Sequence, residues 1–520
     1  MTEVKVKMSN REKSMYASEL SKFNLQELVL ELAEFYRNFD KIYFPLRMDQ
    51  RGRIYCSPNY LNYQGSELAK SLWLFAEPSI ITKEAKSLYN IKYLEFYGVN
   101  CFGKDKLSDE AKLKWIKSNL NDIINYANGI LLLQAKDKLL FLSFCIEYKR
   151  YINFFNDENA YEFHTYLPIQ LDATCNGFQH LALLSNENIL FKELNLTVTG
   201  DRPNDFYSFL IHRLDNKFNN EIEKGNKIEN EGSYVRLVDF IFTRSNVKKA
   251  IMTIPYNATP RSMRKYLVSE MEFVRNADKL SWYSQKDDQK QINLINNKDI
   301  TLLMDVIQHI INNDFEKIKK LIKYLANIAT ALTLLGLPIV WFLPHGLVVR
   351  QSYLEVKSTS IRPFVYSKAK INIQVVNKDA LDKLKQIRAF MPNLIHSLDA
   401  SSMSLLYNKF HLMYKQPQFF SIHDCFGTTL DKVDLLKTML ASVYMDIYSH
   451  DHYLGEFDRK ILKYIELQTG NVIDRNTRLL EINIKGRTTQ YELHNIKWVT
   501  NEIDVKNSII KRIDSQHILI

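Results

Sequence analysis

Two short segments, far apart in the chain, each hold one aspartate among apolar and small residues. Residues 170–180 read QLDATCNGFQH around Asp172, and residues 421–428 read SIHDCFGT around Asp424. Neither segment contains Lys or Arg, and a carboxylate in apolar surroundings is costly unless a cation compensates it. Metal ions shared by the two carboxylates would provide that compensation. We therefore predict a fold that brings both segments together as one divided metal site.

Composition sets the broad class of protein. The chain has 520 residues, of which 46% are hydrophobic, enough for a large core and several subdomains. Its net charge of +10 favours a polyanionic partner such as nucleic acid, although a basic surface without a partner has the same composition. The five cysteines are scattered singly, which favours a reducing compartment over a zinc site. No apolar run has the length of a membrane span, so we expect no membrane partner.

Helical periodicity runs through long stretches, and Gly and Pro are few, at 15 and 12 residues. The fold class is therefore expected to be α+β and mostly helical, with short strands between the helices. Apolar residues at three- and four-residue steps after an acidic first turn predict a helix over 113–127. Similar patterns predict helices over 318–335 and 400–414.

Strand signals surround both aspartates. We predict strands over 53–56 and 167–171, and a pair of strands over 419–422 and 426–430 on either side of Asp424. This placement puts each aspartate at or near a strand end, where its side chain can face a site.

Alternating apolar residues over 361–376 predict a hairpin with a basic tip at Lys368 and Lys370. Contact with nucleic acid and a merely solvated turn are both open interpretations of these two lysines.

A third motif lies between the aspartates and reads RSNVKKAIMTIPY from Arg244 to Tyr256. On a helix, each four-residue step turns about 40° past a full turn, so Arg244, Lys248 and Tyr256 would share one face over about 18 Å. Such a helix would offer two cations and a phenol to a nucleoside triphosphate. Pro255 fits poorly in a helix interior, so we place it in the last turn, with Tyr256 at the exit.

In this order, the three motifs resemble those of the single-subunit RNA polymerases of phage and mitochondria. Further segments resemble other parts of the same family. They are Asp49–Tyr55, similar to the template-strand motif Asp-x-x-Gly-Arg; Trp341–Gln351, similar to the loop before the promoter-reading hairpin; and Pro392–Asp399, similar to the segment that presents His396 to the nucleotide sugar. The resemblance covers about residues 39–450. It is closest to the polymerases encoded by linear mitochondrial plasmids of fungi and plants.

Two positions depart from the family pattern beside the key residues. Asn257 follows Tyr256 where relatives have Gly, and Asn tolerates left-handed backbone better than most residues, so we expect the turn to be preserved. Ala173 follows Asp172 where Gly is usual, which is tolerable if only the main-chain carbonyl is used there.

The resemblance implies a right-hand polymerase fold with palm and fingers, in which the thumb and the N-terminal promoter domain are reduced or missing. An accessory initiation factor is therefore an expected partner. The implied domains are an N-terminal helical segment over 1–39 that holds at most a thumb remnant, a first palm part over 40–190, fingers over 191–396 with a promoter hairpin over 361–376, and a second palm part with a C-terminal extension over 397–520.

The resemblance also implies an activity: DNA-templated RNA synthesis from ribonucleoside triphosphates with release of pyrophosphate. DNA template and nascent RNA are the implied partners, and the mitochondrial matrix, with a mitochondrial plasmid or genome as the source, is the implied setting. The implied site residues are Asp172 and Asp424 as catalytic ligands of two Mg²⁺ ions; Lys248 as a further catalytic group; Arg244, Tyr256, His396 and Lys106 for the substrate; and Arg51, Arg53 and Lys70 for the template.

Two other functions stay open on the sequence. A DNA polymerase of the pol I type shares the metal chemistry, but its third motif usually continues His-Asp-Glu, whereas Cys425 follows Asp424 here. A catalytically inactive remnant would bind nucleic acid in a salt-sensitive way, without metal-dependent extension of a primer.

Overall fold

The computed structural model of the chain describes residues 9–84, 88–224, 231–240, 242–276, 279–283, 294–362, 370–448, 453–484, 487–500 and 517–519. Helices predominate within these residues, with short strands between them, as the sequence predicts. Among the helices that the structure describes, none combines the length and the apolar character needed to cross a membrane.

The helices are given in chain order. They are α1 (Asn10–Tyr36), α2 (Glu67–Ser71), α3 (Ile91–Phe102), α4 (Asp109–Ser118), α5 (Leu120–Ile124), α6 (Ile130–Gln134), α7 (Lys138–Asn156), α8 (Asn176–Ser185), α9 (Phe206–Glu223), α10 (Glu231–Asp239), α11 (Arg244–Ile251), α12 (Pro260–Ser269), α13 (Asn297–Asn313), α14 (Glu316–Leu334), α15 (Lys383–Met413), α16 (Val433–Tyr448), α17 (Tyr453–Thr469) and α18 (Lys497–Thr500). Short 3₁₀ turns occupy Tyr126–Asn128, Asn188–Leu190, Ile254–Tyr256 and Leu430–Lys432.

The strands pair only in antiparallel fashion within the described residues, mostly as two-stranded ribbons. They are β1 (Leu46–Met48), β2 (Ile54–Cys56), β3 (Ser79–Thr82), β4 (Glu162–Thr165), β5 (Ile169–Asp172), β6 (Glu272–Asn276), β7 (Lys279–Tyr283), β8 (Ile339–Phe342), β9 (Val348–Gln351), β10 (Leu354–Ile361), β11 (Ile371–Leu381), β12 (Phe419–Ile422), β13 (Cys425–Thr428), β14 (Leu479–Ile484) and β15 (Arg487–Glu492).

One three-stranded sheet, in the order β12-β13-β5, carries both aspartates. Ile422 pairs with Cys425, so His423 and Asp424 form a two-residue turn between β12 and β13. On the other side of β13, Cys425 pairs with Asp172, the last residue of β5. The turn and the strand end are therefore neighbours, as the strand signals predict. His423 takes a left-handed φ of 59°, which a tight hairpin turn requires.

A continuous hydrophobic core supports this sheet. Strand β5 alternates buried Ile169 and Leu171 with the more accessible Gln170 and Asp172, so hydrophobic burial turns the carboxylate away from the core. Helix α8 follows directly and is buried along its whole length, which fixes the end of β5. Helix α3 packs against β5, and α15 packs against α8, α14 and α16.

The helix predicted over 113–127 is divided in the structure. Helix α4 ends at Ser118, and α5 begins at Leu120. Between them, the Asn119 side chain donates to the Trp115 carbonyl oxygen at 2.7 Å. Asn competes in this way with helical backbone hydrogen bonds, so the apolar periodicity continues while the helix does not.

The other predicted helices are confirmed, with changed bounds. Helix α14 matches the expectation over 318–335 closely. The helix predicted over 400–414 is the second half of α15, which begins at Lys383 after an N-cap in which Asp382 accepts from the Lys385 backbone N–H at 2.9 Å. Pro392 lies inside α15. Because Pro usually ends a helix, the sequence did not predict the first half of α15.

The predicted hairpin is present and longer than expected. Strands β10 and β11 pair from Leu354 with Leu381 to Ile361 with Ile371. Lys370 directly precedes β11 and is exposed. Lys368 and the rest of 363–369 lie outside the described residues.

Close packing between β12 and β13 predicts the effect of a single methyl group. A Cβ added to Gly427 would lie 2.3 Å from the Phe420 ring, which in turn packs against Tyr63 and Phe75. We expect Gly427→Ala to lower the free energy of unfolding by about 1–3 kcal/mol through this overpacking, measured by urea denaturation.

The matched control is Gly455→Ala on α17, where an added Cβ meets nothing within 4 Å. There the same change is expected to stabilise the protein by up to about 1 kcal/mol, because Ala has the higher helix propensity. Equal effects of the two substitutions would contradict the packing described for the sheet.

Candidate active site

The two aspartates lie at the floor of a cleft of about 610 Å³. Main-chain groups hold the strand ends together, since the Ala173 N–H donates to the Asp424 carbonyl oxygen at 3.2 Å. The charged residues that line the cleft are Lys70, Asp105, Lys106, Lys136, Asp137, Asp172, Glu193, Asp205, Arg244, Lys248 and Asp424.

Burial raises the pKa of the Asp172 and Asp424 carboxyl groups. For Asp172, burial is the main cause, and the charges of Lys248, Lys136 and Lys106 counteract it. For Asp424, burial and the nearby Asp172 charge together hold the pKa well above its usual value. Water reaches Asp172 from the open side of the cleft, but protein surrounds the carboxylate on its other sides.

This pair fits a divalent cation. The Asp172 charge helps to raise the pKa of Asp424, and a positive ion between the two carboxylates would relieve this repulsion. Hard ions such as Mg²⁺ prefer carboxylate and carbonyl oxygens. Within the described part of the chain, no group of three His, Cys, Asp or Glu side chains is placed to bind a metal. The protein ligands would therefore be the two aspartates, with main-chain carbonyls and water completing the shell.

The prediction that a single helix carries Arg244, Lys248 and Tyr256 is wrong for Tyr256. Helix α11 ends at Ile251, and Tyr256 lies in the separate 3₁₀ turn Ile254–Tyr256. The cause is Pro255, which would clash with the carbonyl of residue 251 in a continued α-helix. All three side chains nevertheless line the same cleft.

Asn257 keeps the left-handed turn that was expected of it, with φ at 53°. Its side chain also donates to the Arg388 carbonyl oxygen at 3.2 Å. In a regular helix, that carbonyl would accept from residue 392, which is a proline without an N–H. Asn257 thus satisfies a backbone acceptor that Pro392 leaves open, and it fastens the Tyr256 turn to α15.

The two cations of α11 are held by residues that the sequence did not indicate. The Arg244 Nε donates to both carboxylate oxygens of Asp205 at 3.1 Å, and the Tyr207 ring lies 5.4 Å from the guanidinium. The Lys248 ammonium lies 5.9 Å from the same ring. Burial, followed by the Arg244 charge, lowers the pKa of Lys248. No motif or spacing distinguishes Asp205 and Tyr207 in the sequence.

His396 stacks on Tyr256, with ring centroids 4.7 Å apart. The Arg51 Nη1 lies 2.8 Å from His396 Nδ1. Because a guanidinium can only donate, Nδ1 must be the acceptor, and the proton of the neutral ring is on Nε2. Burial, with Arg53 and Arg51 nearby, lowers the pKa of His396 to about 3, so the ring is neutral at physiological pH.

The three predicted template residues have different surroundings. Arg51 forms an ion pair with Asp49 at 2.7 Å in addition to its His396 contact. Arg53 is nearly buried, and its Nε and Nη2 donate to one oxygen of Asp399 at 2.9 and 2.7 Å. Lys70 lies in the last turn of α2 and lines the cleft.

Asp399 binds Arg53, which the sequence does not indicate. Its second oxygen accepts from the Asn176 side chain at 2.8 Å, so it joins Arg53 to the first turn of α8. Arg53 and Asp399 are 346 positions apart in the chain. No local pattern could have linked them. Lys106, predicted for the substrate, lines the cleft 3.5 Å from Asp105.

Known proteins resemble this chain over most of its length. The profile of a family described as DNA-dependent RNA polymerase matches residues 87–513. A probable DNA-directed RNA polymerase of Podospora anserina is 44% identical over 483 residues, which is 92% of this chain and 50% of the relative. A probable DNA-directed RNA polymerase of Neurospora crassa is 32% identical over 479 residues, which is 90% of this chain and 51% of the relative.

More distant plant relatives are named for organelles. The DNA-directed RNA polymerase 1, mitochondrial, of Nicotiana sylvestris is 27% identical over 438 residues, which is 81% of this chain and 40% of the relative. Others carry the word chloroplastic in their names. The chain spans about half the length of the fungal relatives described above.

The raised pKa of Asp424 predicts a pH effect on the metal-free protein. A carboxyl group with a higher pKa in the folded chain stabilises the fold below its ordinary pKa, and this contribution is lost as pH rises through the folded value. In EDTA, we therefore expect Asp424→Asn to gain stability relative to the wild type as pH rises from about 4 to 8.

Chemical denaturation at several pH values measures this difference. The control is Asp379→Asn, at an exposed position on β11, which should differ from the wild type by the same amount at every pH. An Asp424→Asn difference that does not change with pH, or that changes in the wild type's favour, would contradict the assigned pKa.

Proposed function

The chain belongs to the family of DNA-dependent RNA polymerases, and from that premise we propose that it synthesises RNA on a DNA template. The observation that carries this proposal is the pair Asp172 and Asp424 at adjacent strand ends, facing the cations of α11. The proposal includes a right-hand architecture, with the fingers formed by 191–396, the first palm part by 40–190, and the second palm part with a C-terminal extension by 397–520.

Asp172 and Asp424 hold two Mg²⁺ ions in this proposal. When bound, such a pair neutralises charge on the attacking 3′-hydroxyl oxygen and on the leaving pyrophosphate. The part of the protein is to keep the two carboxylates side by side and to exclude water from most of their surroundings. The repulsion seen in the raised pKa of Asp424 supports this assignment.

Arg244, Lys248 and Lys106 bind the triphosphate. Asp205 and the Tyr207 ring hold the Arg244 guanidinium in a fixed plane, which suits two-pronged contact with phosphate oxygens. Lys248 has a lowered pKa and therefore gives up a proton more readily than an ordinary lysine. This makes Lys248 the proton donor to the departing pyrophosphate.

Tyr256 and His396 recognise the ribose. Tyr256 lines the cleft, and His396 stacks on it with a donor at Nε2–H. The pair can therefore bind a 2′-hydroxyl, which both donates and accepts. A deoxynucleotide would leave these groups unpaired.

The nucleic acid strands follow the basic surface beside this cleft. Lys70 and Arg51 contact the template backbone, whereas Arg53 mainly positions Asp399 and Asn176. The exposed hairpin of β10 and β11 contacts promoter DNA. We place the protein in mitochondria, which the name of one plant relative supports. We place its gene on a mitochondrial plasmid or genome, as the resemblance of the sequence motifs implies.

Removing either metal-binding carboxylate should abolish most activity. We expect Asp172→Asn and Asp424→Asn each to slow Mg²⁺-dependent extension of an RNA primer on DNA at least about a hundredfold. Asp379→Asn, at an exposed position on β11, should extend like the wild type. Substantial extension by either active-site variant would remove the assignment.

The same assay separates the competing functions. Preferred incorporation of deoxynucleotides would indicate a DNA polymerase. Salt-sensitive binding of nucleic acid without any Mg²⁺-dependent extension would indicate a non-catalytic binding protein.

Sugar discrimination should depend on the stacked pair. We expect Tyr256→Phe to lower the preference for ribonucleotides over deoxynucleotides about tenfold, because a hydrogen bond to the 2′-hydroxyl is lost. Tyr266→Phe, on the exposed side of α12, is the matched control and should leave the ratio unchanged.

The pKa of His396, about 3, adds a second expectation. Because the ring stays neutral, the discrimination ratio should be constant between about pH 6 and 9. A ratio that titrates near neutral pH would show that His396 is charged in the working enzyme.

A further inference from the structure

Lys136 lies outside the sequence motifs described above, yet it lines the same cleft as Asp172 and Asp424. Lys136 lies in the turn between α6 and α7 and lines the cleft with Lys106 and Lys248. Its side chain is 72% exposed, and its nearest ion-pair partner, Asp137, lies 3.6 Å away. Tight charge-assisted hydrogen bonds are about 2.7–2.9 Å long, so Asp137 holds this ammonium group only loosely.

Backbone contacts fix the turn of Lys136 to the end of α3. The Lys136 N–H donates to the Phe102 carbonyl oxygen at 3.3 Å, and the Asp137 N–H donates to the Cys101 carbonyl oxygen at 3.0 Å. The stretch that carries Lys106 begins directly after α3. Lys106 and Lys136 are therefore presented by two turns that are joined to each other.

The path of the Lys136 side chain is also constrained. Gly103 has a left-handed φ of 100°, and a Cβ built on it would lie 3.1 Å from the Lys136 Cβ and 3.6 Å from its Cδ. The aliphatic part of the Lys136 side chain thus packs against Gly103 on the side where any other residue would carry its Cβ. A larger residue at position 103 would displace the stem, so this glycine leaves room for the lysine beside the cleft.

Electrostatics place the Lys136 charge in the site. It adds to the lowering of the Lys248 pKa, which burial and the Arg244 charge mainly cause. Lys136 and Lys248 therefore repel each other across the space beside Asp172.

We propose that Lys136 is a polyphosphate-binding residue, which binds the substrate triphosphate and the departing pyrophosphate from the turn between α6 and α7. This inference rests on the proposed function. Four cations, namely Lys106, Lys136, Arg244 and Lys248, converge on one space. A polyphosphate concentrates several charges on adjacent phosphorus atoms and matches that cluster. A nucleic acid strand, with about one charge per nucleotide, matches it less well.

The test compares Lys136→Met with Lys138→Met. Lys138 is an exposed lysine at the start of α7 that does not line the cleft, so both variants lose the same charge from the same region. The first measurement is calorimetric titration with inorganic tripolyphosphate. We expect Lys136→Met to bind it about tenfold more weakly than the wild type, and Lys138→Met to bind it like the wild type.

A second measurement uses primer extension. Lys136→Met is expected to raise the KM for ribonucleoside triphosphates about tenfold with a smaller change in kcat, and Lys138→Met to change neither. Equal tripolyphosphate binding by the two variants would overturn the proposal. So would a loss of template–primer affinity in Lys136→Met without a loss of tripolyphosphate affinity, because Lys136 would then contact nucleic acid.

The two measurements also separate this inference from the proposed function. Tripolyphosphate binding needs no catalysis, so it decides the role of Lys136 even if the wild-type protein extends no primer. A wild-type protein without extension activity would contradict the polymerase assignment alone.

Discussion

The register of one three-stranded sheet decides where two like charges meet. Because Cys425 pairs with Asp172, the turn residue Asp424 comes next to the end of β5. Burial of Ile169 and Leu171 on the other face of β5 selects this register, since a slip by one residue would exchange the two faces. The hydrophobic core thus determines the position of the two carboxylates.

That arrangement has an electrostatic cost, and much of the surrounding structure offsets it. Without a cation, burial and the neighbouring Asp172 charge raise the pKa of Asp424 and favour its protonated form. Lys248, Lys136 and Lys106 oppose this tendency at Asp172. In the proposed function, the same three lysines also bind the triphosphate. A second, internal pair, Arg53 with Asp399, fixes the first turn of α8 through Asn176.

Local patterns in the sequence predicted the features that depend on local chemistry. The hairpin around Asp424 and the presence of α14 were readable from strand signals and periodicity. The left-handed turn at Asn257 was expected from the resemblance to a family that has Gly there. The break of the 113–127 helix was not, because it depends on one hydrogen bond from Asn119 to the Trp115 carbonyl. Similarly, the motif with Arg244 and Tyr256 was expected on one helix, whereas Pro255 divides it.

Partners distant in the chain were beyond sequence reasoning. Asp205 and Lys136 carry no motif of their own, and the segment that ends at Asp399 does not indicate its ion pair with Arg53. The importance of these residues comes from the side chains that folding brings beside them. Asn257 is an instructive case, because its departure from the family glycine has a reason that only the structure supplies. Its side-chain amide donates to the Arg388 carbonyl oxygen, to which Pro392 cannot donate because it has no N–H. Asn257 thus compensates for the hydrogen bond that Pro392 removes.

Counting the divalent ions bound by the folded protein tests the central claim most directly. In a titration with Mn²⁺, electron paramagnetic resonance reports the free ion, and the bound fraction follows for the wild type and for the double variant Asp172→Asn/Asp424→Asn. We expect the wild type to bind Mn²⁺ at least about a hundredfold more tightly than the double variant, since the loss of each carboxylate should cost tenfold or more. Equal Mn²⁺ binding by the two folded proteins would contradict a metal site shared by these aspartates.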